Sequence, residues 1–121
     1  MSRKPETVFR DRVTRDLRAM PDCWSESIQQ QTIHGTPDKI GVVNGLMFGL
    51  ELKARPDAAP SPLQFHKLQR INQCGGYGAL VHPGNWERVR GELSKLAHIY
   101  SVLRHNDAVR EIVESLVFKA S

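Results

Sequence analysis

The chain has 121 residues, 40% of them hydrophobic and 25% charged, which suits one small soluble core and excludes a fibrous, disordered or multidomain protein. Lysines and arginines number 17 against 13 acids, a formal charge of +4 that leans toward polyanionic partners without deciding for them. Cys23 and Cys74 stand far apart with no paired histidine at ligand spacing, so no structural zinc centre is expected and the two thiols are expected to be free.

From Pro5 to Met20, the apolar residues Phe9, Val13, Leu17 and Met20 recur at the spacing of one helix face, with arginines 10, 12, 15 and 18 on the others. Glu6 falls on the same stripe as Phe9 and Val13, an acid at a position that should face the core. Pro21-Asp22 closes the helix. Ser27 to Ile33 is expected to form a first strand.

After the turn-like His34-Gly35-Thr36-Pro37, Asp38 to Val43 and Leu46 to Lys53 read as two strands joined by Asn44-Gly45, the strongest short hairpin signal. A loop rich in proline and alanine follows. Ser61-Pro62 then supplies an N-cap and first-turn proline for a helix over Pro62 to Gln73, which Gly75-Gly76 stops. Tyr77 to His82 is the next strand, and His82-Pro83-Gly84 turns the chain. Trp86 to Leu103 reads as a third helix, followed by a last amphipathic one carrying Val109, Ile112, Val113, Leu116 and Val117. Those two helices either complete the core or make a dimer contact. Trp24, Trp86 and Tyr77 are expected to be packing residues, and the five histidines, none at metal-site spacing, are given no chemistry. No apolar run follows the basic N-terminus and no stretch reaches membrane-spanning length, so a cytoplasmic protein without membrane anchor is expected.

The hairpin carries the chemistry. With Asn44 and Gly45 at its turn, Val43 lies opposite Leu46 and, further out, Asp38 opposite Glu51, their β-carbons roughly 5 Å apart. Side chains alternate along a strand, so Lys53 shares the face of Glu51. Leu46, Phe48, Leu50 and Leu52 occupy the other face, while Ile40, Val42 and Met47 make the first face apolar near the turn. A sheet apolar on both sides calls for helices on both sides. Two facing carboxylates need a proton or a cation between them, and hard oxygen ligands favour magnesium or manganese, which also take phosphate oxygens. Lys53 beside them would orient a nucleophile or stabilise developing negative charge; the bland alternative is a surface ion pair between Glu51 and Lys53. Glu6 is a candidate further ligand, direct or through water, or else a helix-end acid paired with Arg10. Gln64 shares a helix face with Leu68 and Ile71 and directs an amide at the sheet. Arg55, Lys67 and Arg70 are candidates for DNA backbone contacts.

Thr36-Pro37-Asp38, Gly49-Leu50-Glu51-Leu52-Lys53 and Ser61-Pro62-Leu63-Gln64 together resemble the PD-(D/E)XK nuclease superfamily, and within it the VRR-NUC family of virus-type replication and repair nucleases. Pro37-Asp38 matches the first element, Glu51-Leu52-Lys53 the acid-x-lysine element, Gln64 the polar helix position and Glu6 the N-terminal helix glutamate, for which Glu26 is an alternative. The resemblance spans roughly residues 5 to 90. It implies an α/β restriction-endonuclease-like fold with a central mixed sheet flanked by helices, in a single domain over residues 1–121 whose C-terminal helices, about 86–119, are additional. It implies magnesium- or manganese-dependent phosphodiester hydrolysis with Asp38, Glu51, Lys53 and Gln64 catalytic, and a metal held by Asp38, Glu51 and the backbone carbonyl of Leu52, with Glu6. For small members it implies a homodimer that cuts branched DNA such as Holliday junctions, in repair or recombination of a phage or bacterium. The alternative is a noncatalytic DNA-binding or assembly subunit that keeps the fold.

Overall fold

Asn44 and Gly45 both take positive φ, 49° and 89°, the combination whose twist matches that of the flanking strands. The computed structural model, which describes residues 4–28 and 34–119, builds its sheet around that turn. Strands β2 (Lys39–Val43) and β3 (Leu46–Leu52) pair antiparallel, Val43 opposite Leu46 and Lys39 opposite Leu50, the register that the sequence predicts. Strand β1 (Cys23–Ser27) adds antiparallel to the far side of β2, and β4 (Tyr77–Val81) adds parallel to β3. The order is β1-β2-β3-β4. Helix α2 (Pro62–Gln73) is the crossover that a parallel neighbour requires.

Helices α1 (Pro5–Ala19) and α3 (Trp86–Arg104) lie on one face of the sheet. There Phe9, Val13 and Leu17 of α1 and Trp86, Val89, Leu93 and Ala97 of α3 form one core with Leu46, Phe48, Leu50 and Leu52. Trp86 donates its indole N–H to Asp16 Oδ2 at 2.7 Å, pinning α3 to α1. The β2–β3 turn is held from the same side, because Asn44 donates to the Ala97 carbonyl at 3.2 Å and accepts from Arg104 at 3.1 Å.

Helix α2 covers the opposite face, and glycines let it come close. A Cβ on Gly78 would stand 2.6 Å from the Leu68 carbonyl oxygen, and one on Gly49 would stand 2.7 Å from Ile71 Cδ1. Residues with side chains at these places would push the helix away. Helix α4 (Asp107–Lys119) completes the described chain. The result is the expected mixed sheet with helices on both sides. Among the described residues, no helix is long and apolar enough to cross a membrane.

The structure corrects three expectations. The first strand is Cys23–Ser27, ahead of the 27–33 segment, of which residues 29–33 lie outside the described residues. Its inward residues are Cys23, Ser25 and Ser27, so one thiol packed against the core and two serines stand where an apolar alternation would mark the strand. Trp24 is no packing residue: it points outward from β1 and is 57% exposed. Glu6 lies on the stripe of Phe9 but is exposed; the first turn of α1 overhangs a cleft, where the later turns overlie the sheet. Near the hairpin turn the α2 face is only partly covered, and Val42 and Met47 remain exposed.

Candidate active site

Asp38 immediately precedes β2 and Glu51 stands near the end of β3, so the hairpin register brings their carboxylates together. The backbone N–H of Leu52 donates to Asp38 Oδ2 at 2.9 Å, which anchors that carboxylate at the end of β3. Glu51 is 3% exposed. Its Oε1 accepts from Gln64 Nε2 at 3.0 Å and lies 3.8 Å from Lys53 Nζ. Its Oε2 is buried and has no hydrogen-bond partner. Burial first, and the neighbouring Asp38 second, push the Glu51 carboxyl up to about 7, against the pull of Lys53.

These groups open into one cleft, lined by Glu6 and Arg10 from α1, by Asp38, Glu51, Leu52 and Lys53 from the hairpin, and by Arg55 from the loop that follows. The donors are hard oxygens, and a buried carboxylate oxygen without a partner is costly unless a cation or proton meets it. A magnesium or manganese ion would meet that need, and the groups placed to hold one would be the Asp38 and Glu51 carboxylates and the Leu52 carbonyl, all of which line the cleft. Glu6 lines the cleft without adding a third close acid: among the described residues, no three of Asp, Glu, His or Cys are grouped tightly enough to hold one ion.

No protein-family model matches the chain, and no curated protein does. Among solved structures, one described as a VRR_NUC domain superposes with a TM-score of 0.60 over 79% of this chain and 97% of its own, at 16% sequence identity. The chain has the fold of a VRR_NUC domain.

On this VRR_NUC fold, the structure gathers Asp38, Glu51, Lys53 and Gln64 at one place, with Glu6 and Arg55 at its mouth. Arg55 is exposed and pairs with Asp57 at 3.4 Å. Lys67 and Arg70 lie on α2 and do not line the cleft; Lys67 donates to the His34 carbonyl and Arg70 to Gln73 at 2.9 Å. Two residues near the site carry no motif. Arg10 lines the cleft one turn after Glu6, and its i+4 spacing from Glu6 is the signal in the sequence. Lys39 is buried on the other face of the sheet, 2% exposed, and donates to Ser27 Oγ at 2.8 Å. Burial, then the charges of Arg18 and Arg10, lower its pKa, while Glu26 acts the other way. Strand alternation places Lys39 opposite Leu50, inside the core, which is the one hint the sequence holds.

Proposed function

We propose that this protein is a magnesium- or manganese-dependent DNA endonuclease of the VRR-NUC family, with Asp38, Glu51, Lys53 and Gln64 at its centre. The observation that carries this reading is Glu51: a buried carboxylate with one oxygen unpartnered, in a cleft shared with a second acid and a lysine. When bound by Asp38, Glu51 and the Leu52 carbonyl, the metal supplies polarisation of the scissile phosphate and a more acidic water. Gln64 holds Glu51 in place. Lys53 offers its ammonium to the attacking water or to the negative charge that develops on the phosphate. Glu6 reaches the site through water, and Arg10 and Arg55 at the mouth neutralise backbone phosphates. Lys67 and Arg70 extend the basic surface along α2.

The substrate in this reading is branched DNA, the class that the resemblance to small VRR-NUC members implies. The test is cleavage of labelled four-way junction, flap and linear duplex with magnesium, manganese or chelator. Metal-dependent cutting is expected, fastest on a branched substrate. DNA binding without cutting under either metal would favour the noncatalytic subunit.

A second copy of this chain is the partner that the reading assigns to the outer face of α3 and α4. In α4, Val109, Ile112, Val113 and Leu116 are 43–65% exposed; Ile99, Val102 and Leu103 of α3 are exposed too, and Leu103 lines one groove with Val109 and Val113. A 13-residue helix is marginal alone in water, so α4 needs its apolar stripe covered. Charges of both signs flank the stripe: Arg104 and Arg110 line the groove between α3 and α4 together with Glu114. Analytical ultracentrifugation is expected to give a dimer for the wild type and a monomer for Ile112→Glu. A wild type that stays monomeric throughout the micromolar range would remove the homodimer from the reading.

A further inference from the structure

We propose that Ser61 is a positioning residue of the site, acting through Gln64 to decide which oxygen of Glu51 is left open. The inference rests on the nuclease reading above. Ser61 is the N-cap of α2, and its Oγ accepts from the Gln64 backbone N–H at 3.1 Å. In return, the Ser61 backbone N–H donates to Gln64 Oε1 at 2.9 Å. This reciprocal pair is a capping box, ordinarily a device for ending a helix.

Here it also fixes an amide. With Oε1 committed to Ser61, only the NH2 end of Gln64 can face the sheet, and it donates to Glu51 Oε1 at 3.0 Å. The reversed amide would set carbonyl oxygen against carboxylate and NH2 against the Ser61 N–H, two mismatches at once. The box and the carboxylate therefore select the same orientation. Oε1 of Glu51 is consequently held by Gln64, with Lys53 3.8 Å away, while Oε2 stays unpartnered. The packing of Leu68 and Ile71 against the glycines of β3 and β4 holds the helix at the distance this bond requires.

The experiment uses Ser61→Thr, Ser61→Ala and Ser61→Pro, alone and combined with Gln64→Ala. Threonine keeps both bonds of the box and alanine loses one. Proline loses both, and its ring suits the φ of −65° that Ser61 already has. The readouts are Mn2+ affinity by calorimetry and the side-chain amide resonance of Gln64, with far-UV circular dichroism to confirm folding. Ser61→Pro is expected to weaken Mn2+ binding roughly 10-fold, the low end for loss of an outer partner, and to move the amide resonance to that of a free glutamine. Ser61→Ala should fall between it and the wild type, and Ser61→Thr should match the wild type. In the Gln64→Ala background, Ser61→Pro should have no further effect on Mn2+ affinity, since the route has been removed.

A folded Ser61→Pro that binds Mn2+ within twofold of the wild type overturns the proposal alone. So does an undiminished effect of Ser61→Pro in the Gln64→Ala background, which would reveal a purely structural role. Wild-type protein that takes up no Mn2+ overturns the nuclease reading and this inference with it.

Discussion

Glu51→Gln is expected to stabilise the metal-free protein above pH 7 while reducing metal-dependent cleavage roughly 100-fold or more. Unfolded, the Glu51 carboxyl ionises near its ordinary 4.5; folded, burial and Asp38 raise this to about 7. Between those values the folded chain holds a proton that the unfolded chain has released. Stability thus falls as pH rises through this window, and the penalty is complete above it, up to about 3 kcal/mol. Glutamine carries no charge to bury. Its carbonyl can still accept from Gln64, and its NH2 can take the place of the unpartnered Oε2. Melting by calorimetry with chelator should therefore show the variant well above the wild type at pH 8 and close to it at pH 5.

Magnesium should invert that comparison in part. A ligand that binds only the folded state stabilises it by mass action, so the wild type gains and Glu51→Gln, without the anionic ligand, gains little. Equal melting temperatures for the two proteins at pH 8 with chelator would contradict the assignment of Glu51 as a buried charge that Lys53 only partly offsets.

The legibility of this site in the sequence followed from one local feature. Asn44-Gly45 admits one tight turn, that turn sets the register, and the register places Asp38 beside Glu51 before anything is known of the tertiary fold. Strand β1 had no such guide. Cys23, Ser25 and Ser27 satisfy their backbones in the ladder with β2 and bury little apolar surface, so no hydrophobic alternation marks them. Lys39 was obscured for the opposite reason, because a lysine in an apolar run usually turns to solvent and here the neighbouring Ser27 lets it stay inside. The position of Gln64 on its helix was readable, but the direction of its amide depends on the Ser61 N–H and on how closely α2 approaches Gly49 and Gly78. Those are tertiary facts. The stripe on α4 was readable as amphipathic, yet periodicity alone does not say whether the chain itself or a second copy covers it.

Lys53→Met is expected to reduce the rate of cleavage by about 100- to 1,000-fold while leaving DNA and Mn2+ binding nearly unchanged. Methionine keeps most of the aliphatic stem, so packing at the end of β3 is preserved and the ammonium alone is lost. At 3.8 Å from Glu51 Oε1, that ammonium is close enough to attract the carboxylate electrostatically but outside good hydrogen-bond geometry, and it remains available to a water or phosphate oxygen in the cleft. Its part would thus be played in the transition state and not in holding substrate, so single-turnover rates should fall while the DNA dissociation constant holds. A folded Lys53→Met that cuts within threefold of the wild type would reduce Lys53 to the ion-pair partner of Glu51. A variant that loses DNA binding together with cleavage would instead make it a phosphate anchor, and the source of catalysis would have to be sought among Arg10, Arg55 and the metal ligands.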